Sequence, residues 1–125
     1  MTTADLVKNF LSSEGYRYEV DGDGDIKFKY EGSTLYFTVS SDDESFFRVI
    51  MPGVYKVDNN RGKVLEAVNA VARDLKVVKA FLVDDMLCLS VEMFIDSSPE
   101  LEDFFSRCMR LLKMAREKAA NVIFA

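Results

Sequence analysis

One segment carries acidic side chains at the alternating spacing that calcium-binding loops use. It reads Asp21-Gly22-Asp23-Gly24-Asp25, and carboxylate oxygens are the ligands that Ca²⁺ prefers. An EF-hand loop also needs glycine at its sixth position and a bidentate acid at its twelfth, where this chain has Ile26 and Gly32. Strand-like alternation flanks the segment where an EF-hand has helices. We therefore predict a hairpin turn and no metal site, with weak surface binding of calcium as the alternative.

Catalytic side chains are scarce. The chain has no histidine, which removes the usual general base at neutral pH and the common activator of serine and cysteine nucleophiles. No glycine pattern matches a phosphate-binding loop. Adjacent carboxylates lie where turns and helix starts are predicted, and the two cysteines, Cys88 and Cys108, have apolar neighbours and no CxxC spacing. The sequence predicts a non-enzymatic protein with no catalytic residues and no cofactor.

Length and charge limit the number of domains and the kinds of partner that we expect. The 125 residues are 49% hydrophobic and 30% charged, which predicts one domain, 1–125, with its own core. The net charge of -5 repels phosphate backbones and anionic lipids, so we expect neither nucleic acid nor membrane as a partner. The N-terminus lacks signal-peptide features, and no run approaches the ~18 apolar residues of a membrane span. A cytoplasmic location is the expectation.

The first half of the chain predicts a helix followed by four strands. Thr2 or Thr3 can cap a helix whose apolar residues share one stripe, and Gly15 can end it. Period-two alternation over 16–20, 26–31 and 35–40 then predicts antiparallel strands with one wet face. A fourth strand, 46–51, is apolar at nearly every position. Pro52-Gly53 interrupts it, and 54–57 can resume it.

The second half predicts helix, hairpin and helix. Asn59 or Asn60 caps the first helix, and 76–83 and 86–95 pair around Asp84-Asp85. Ser98-Pro99-Glu100 has the residues of a strong helix start, predicting a last helix from Ser98 to about Asn121, roughly 35 Å long. The order α-β-β-β-β-α-β-β-α predicts an α+β fold, an antiparallel sheet of five to six strands with helices packed on it.

The chain carries apolar side chains on the sheet face that should be in water, and further ones beside the apolar stripe of the last helix. We predict that these residues form an interface with a second copy, giving a homodimer, or with a client or regulatory protein. The alternative is that a bulge near Pro52 shifts the strand faces, so that these side chains are core. The predicted interface residues are Tyr36, Phe47, Leu82, Phe94, Met109, Leu111 and Met114.

A second function is compatible with the same architecture. A small-molecule-binding sensor would hold its ligand between sheet and helix, in an apolar pocket where polar groups such as Arg48, Asn69 or Ser90 converge. The location of those three side chains distinguishes the sensor from the interaction domain.

Several segments together suggest a family resemblance. They are Phe10-Leu11 leading to Gly15-Tyr16-Arg17-Tyr18, then Asp23-Gly24-Asp25-Ile26-Lys27-Phe28, and Val64-Leu65-Glu66-Ala67-Val68-Asn69 leading to Lys76-Val77-Val78-Lys79. With the element order, they make the chain resemble the YbjN-like family of bacterial sensory transduction regulators, which has the type III secretion chaperone-like fold. The resemblance implies a compact domain, often paired, that binds protein partners or acts in regulation, and it transfers no catalytic residue.

Overall fold

The computed structural model describes residues 2–40, 42–96 and 100–125. Helix α1 (Thr3–Ser13) begins at a capping box, in which the Thr2 hydroxyl accepts from the Asp5 amide and the Asp5 carboxylate accepts from the Thr2 amide. Thr3 anchors the helix to the loop before the fourth strand, because its amide and hydroxyl both donate to Glu44. Gly15 follows with a φ of +84°, the left-handed geometry predicted for a helix end.

Four antiparallel strands follow in a meander: β1 (Tyr18–Val20), β2 (Ile26–Tyr30), β3 (Ser33–Phe37) and β4 (Phe46–Lys56). The β2–β3 turn has only two residues, Glu31 and Gly32, and both have positive φ, as a two-residue hairpin of the I′ type requires.

Strand β4 contains the interruption that the sequence predicts at Pro52-Gly53. It remains one strand, but its register against its later partner strand, β6 (Met86–Phe94), shifts between Met51 and Tyr55. Proline lacks the amide that a ladder needs, and Gly53 adopts a φ of +64°, so the shift is a bulge at this point.

The second half of the chain adds a helix and the last two strands of the sheet, on the side of β4 away from β3. Helix α2 (Arg61–Asp74) connects β4 to the edge strand β5 (Val78–Val83), and β6 (Met86–Phe94) then inserts between β5 and β4. The strand order is β1-β2-β3-β4-β6-β5, with every pair antiparallel. The predicted α+β class and antiparallel sheet are confirmed, with six strands.

The last helix is shorter than its predicted extent. Ser98 and Pro99 of the predicted start lie outside the described residues. Leu101–Asp103 forms one turn of 3-10 helix, and helix α3 spans Phe105–Ile123, about 28 Å. Phe104, with a φ of -136°, leaves helical geometry between the two. Leu101 and Phe105 on either side of this break are both buried, so core packing determines where the helix begins.

One face of the sheet carries the core. Alternate strand residues on this face, such as Phe28, Leu35, Val49 and Leu89, pack with the buried stripes of the helices. The break at Phe104 places Phe105 against α1 and the sheet, with its ring centroid 4.7 Å from that of Phe10. Within the described residues, no helix is both long and apolar enough to cross a membrane.

Candidate functional site

The second face of the sheet, opposite the core, is the candidate site, and we call it the open face. One row across it runs Lys27, Tyr36, Ile50, Ser90 and Lys79, each opposite the next in neighbouring strands. Apart from Ser90, which is buried, these side chains are partly or fully exposed. A sheet face in water normally shows polar residues, so Tyr36 and Ile50 at its centre are unusual.

Aromatic side chains extend this apolar surface to both ends of the face. Phe94 is 79% exposed, and its ring lies 6.2 Å from that of Phe46 on the neighbouring strand. On the edge strand, the Lys79 ammonium lies 5.6 Å from the centre of the Phe81 ring, within range of a cation–π interaction. The open face therefore offers aromatic rings that the protein itself leaves partly uncovered.

Positive charge predominates on the same surface. Alternation along the strands places five cations and two carboxylates there: Lys27, Lys29, Arg48, Lys56 and Lys79 against Glu19 and Glu92. Their sum is +3, whereas the whole chain is -5. The open face is thus the basic side of an acidic protein.

Polar contacts hold the middle of the face in place. Arg48 Nε donates to the Thr38 hydroxyl at 2.9 Å. Glu92 accepts from the Ser90 hydroxyl at 2.7 Å and forms an ion pair with Lys79 at 3.7 Å. Glu92 thus already interacts with Ser90 and Lys79. The cations of the face other than Lys79 therefore remain available to a partner.

The structure divides the predicted interface residues into three groups. Tyr36 and Phe94 lie on the open face, as predicted. Phe47 and Met109 are 0% and 1% exposed, so they belong to the core and not to an exposed surface. The other three lie on the helix side of the sheet. Leu82 and Leu111 are half-buried, and Met114 is 50% exposed.

Sequence reasoning missed several apolar residues of the open face, among them Phe46, Ile50, Phe81, Val83 and Met86. In the run from Phe46 to Met51 one parity is wholly apolar and buried, whereas the parity of Phe46 carries the charged Arg48. Arg48 was therefore the sequence signal for the exposed parity, and the pairing of Phe46 with Phe94 in the structure agrees with it.

The polar residues considered for a ligand pocket do not meet. Arg48 and Ser90 lie on the open face, away from the helices, and Asn69 is exposed on α2. A ligand between sheet and helix would therefore need other polar groups.

The acidic segment at the β1–β2 turn forms the predicted hairpin. One carboxylate oxygen from each of Asp21, Asp23 and Asp25 lies within 4.8 Å of the others. Two of these side chains already serve the backbone, since Asp21 Oδ1 accepts from the amides of Asp23 and Asp25, and Asp25 Oδ1 accepts from the Val39 amide at 2.9 Å. These bonds account for the acids by turn chemistry.

Both cysteines are buried, and the environment of Cys108 opposes nucleophilic chemistry. Its thiol is 2% exposed, and burial raises the thiol pKa to about 11, although Arg107 lowers it slightly. A thiolate is the reactive form, so at neutral pH this thiol is inert.

We expect the free energy of unfolding to fall as pH rises from about 9 to about 11, because the unfolded chain ionises Cys108 at lower pH than the folded chain does. Urea denaturation at intervals between pH 8 and 11 measures the slope. Cys108→Ala should show a shallower slope, whatever its absolute stability. An identical slope in the variant would contradict the assignment to Cys108.

Comparisons with solved structures place the fold among proteins of low sequence identity. An uncharacterized protein from Methanothermobacter thermautotrophicus has a TM-score of 0.68 at 11% identity, covering 97% of this chain and 96% of that one. The Yersinia pestis type III secretion chaperone SycH, solved in complex with a stable fragment of YscM2, has a TM-score of 0.62 at 13% identity, covering 97% and 99%. YbjN from E. coli, described as a putative transcription regulator, has a TM-score of 0.61 at 13% identity, covering 95% and 87%.

The type III secretion chaperone-like fold that the sequence suggested is thereby confirmed. No match is found among curated proteins. A family model described as "YbjN: Putative bacterial sensory transduction regulator" matches residues 3–116. Since the match covers nearly the whole chain, this protein belongs to the YbjN family.

Proposed function

We propose that this protein is a non-enzymatic interaction domain with a regulatory or chaperone-like role, located in the cytoplasm, and that its open face binds an acidic, apolar segment of a partner protein. The observation that carries the proposal is the combination on one surface of exposed aromatic rings with a charge of opposite sign to the rest of the chain.

The apolar part of the face supplies affinity. Burying the uncovered parts of Tyr36 and Phe81 under a partner segment removes aromatic surface from water. Aromatic residues are enriched at the centres of protein interfaces for this reason.

The charged part of the face supplies selectivity. Lys27, Lys29 and Lys79 surround the aromatic centre, so an approaching carboxylate is attracted and a basic segment is repelled. The fold offers a precedent for a protein ligand, since SycH was solved with a fragment of YscM2. A protein partner also agrees with the regulatory description of the family.

A homodimer is the finer part of the proposal. Two open faces stacked directly would oppose like charges, so we place the twofold contact at the end of the face, where Phe46 and Phe94 lie together. This placement leaves the lysine-surrounded centre of the face available to the partner.

Affinity capture from the native cell tests the partner-binding surface. We expect the double variant Tyr36→Asp/Phe81→Asp to lose a partner that the wild type retains, because both rings lie on the open face. Leu65→Asp is the matched control, since Leu65 is 48% exposed on α2, away from that face. Circular dichroism of each variant verifies folding.

Photo-crosslinking from position 36 then identifies what lies on the face. An acidic, apolar protein segment supports the proposal. A basic segment, a nucleic acid, or equal capture by the face variant and the wild type would contradict it.

Light scattering after size exclusion, at micromolar concentration, tests the homodimer separately. The wild type should be a dimer, and Phe94→Asp should be a folded monomer because it places two carboxylates at the twofold contact. A monomeric wild type would overturn the homodimer while leaving partner binding intact.

A further inference from the structure

A cavity lies on the helix side of the sheet, opposite the open face. Its volume is about 440 Å³, and its walls come from the end of α2, the start of β5, the end of β6 and the first half of α3. This size is in the range of small-molecule sites. The cavity is independent of the surface in the proposed function.

The interior of the cavity is mainly apolar. Four half-buried side chains pack against the core and also line the cavity: Leu75, Met93, Phe104 and Leu111. The buried thiol of Cys108 completes the wall and stays neutral at physiological pH. An apolar group entering here would be removed from water on several sides.

The entrance to the cavity is cationic. Lys76 and Arg107 line it and, within the part of the chain that the structure describes, neither forms an ion pair. The one carboxylate of the lining, Asp74, is already bonded to Arg73 Nε at 2.7 Å and Lys118 Nζ at 2.8 Å. The lining thus holds two cations and one carboxylate, a local charge of +1 in a chain of net -5, and the carboxylate is already bonded to cations outside the lining.

The backbone at the entrance is held in an uncommon conformation. Val77 has a φ of +55°, in the left-handed region that β-branched residues rarely adopt, and it is 49% exposed. Its carbonyl accepts from the Glu92 amide at 3.4 Å, which fixes this position against β6. Backbone strain of this kind is concentrated at binding sites.

We propose that this cavity binds a small amphipathic carboxylate, an apolar chain ending in a carboxyl group. The chain would lie against Met93, Phe104 and Leu111, and the carboxylate would lie at the entrance between Lys76 and Arg107. A guanidinium can donate to both oxygens of a carboxylate, which an ammonium ion does less specifically.

Isothermal titration calorimetry with decanoate, below its micellar concentration, tests the proposal. Decanol and decyltrimethylammonium have the same chain with a neutral and a positive head. We expect saturable binding of decanoate, weaker binding of decanol and none of the cation. The double variant Lys76→Gln/Arg107→Gln should weaken decanoate binding by at least tenfold, the effect of losing charge-assisted hydrogen bonds.

The matched control is Lys8→Gln/Lys63→Gln, which removes the same charge from α1 and α2 outside the cavity and should change affinity less than twofold. The open-face variant Phe94→Asp should also bind decanoate normally, so failure of the protein-binding proposal would not affect this result. Equal affinities for decanoate and decanol, equal affinities in the wild type and the Lys76/Arg107 variant, or no saturable binding would each overturn it.

Discussion

Phe47→Asp is expected to unfold the protein, whereas Phe94→Asp should change the free energy of unfolding of a single subunit by no more than about 0.5 kcal/mol. On the paired strands β4 and β6, Phe94 lies opposite Phe46, and Phe47 lies opposite Met93. Neighbouring positions point to opposite faces of the sheet, so Phe47 is 0% exposed and Phe94 is 79% exposed. The Phe47 ring contacts those of Phe37, Phe104 and Phe105 at centroid distances of 5.5, 5.3 and 5.5 Å.

The large effect at Phe47 has two sources. Removing a buried phenylalanine side chain costs about 3–5 kcal/mol, and an unpaired carboxylate in its place adds a desolvation penalty. Their sum is comparable to the whole stability of an average protein, about 5–15 kcal/mol. Circular dichroism during urea denaturation measures both variants. A cooperative transition for Phe47→Asp near that of the wild type would contradict the core assignment, and loss of structure in Phe94→Asp would contradict its exposure.

Phe105→Ala is expected to lower the free energy of unfolding by about 3–5 kcal/mol. Phe105 is 0% exposed, and its ring lies 4.7 Å from that of Phe10 on α1 and 5.9 Å from that of Phe28 on β2. One side chain thus joins the first helix, the sheet and the last helix, and its removal leaves a cavity that rigid strands cannot close.

A matched control is available at the other end of α3. Phe124 is 71% exposed and touches only the Tyr55 ring among the described aromatic residues, at 5.6 Å, so Phe124→Ala should cost less than about 1 kcal/mol. A double-mutant cycle of Phe10→Ala with Phe105→Ala should give a coupling of about 0.5–1.5 kcal/mol from their stacked rings. Independent effects would show that the two helices are stabilised separately.

The two proposed sites, the open face and the cavity, can be tested separately. They lie on opposite sides of β6, where Ser90 and Glu92 point to the open face and Met93 lines the cavity. If both proposals hold, a small ligand bound behind the sheet is separated from a partner bound in front of it by the sheet alone. Measuring partner affinity with and without decanoate would reveal any coupling.

Local features were predictable wherever one residue type satisfies one backbone requirement. Thr2 with Asp5 predicts the start of α1, and Glu31-Gly32 predicts the turn between β2 and β3, because capping and left-handed geometry depend on immediate neighbours. The hairpin around Asp84-Asp85 follows from the same local rules. The family resemblance was also recognisable at this level, since it rests on turns and hydrophobic spacing.

The candidate site was only partly predictable. Tyr36 lies in a strand with clear alternation, so its exposed face follows from its neighbours. Phe47 lies in a strand apolar at almost every position, and Met109 belongs to the buried stripe of α3, whose rotation is decided by what the helix packs against. For both, the predicted exposure was wrong because periodicity alone did not settle which side faced the core.

The amino-acid sequence by itself determined the α+β class, the order of elements, the turns and the scarcity of catalytic groups, since these depend on residue type and short-range spacing. Tertiary structure decided which residues pair across the sheet, where α3 begins and which cations line the cavity. Those properties depend on strand register and helix docking, which bring together residues far apart in the chain. Phe46 and Phe94, 48 positions apart in sequence and paired on the open face, are the clearest case.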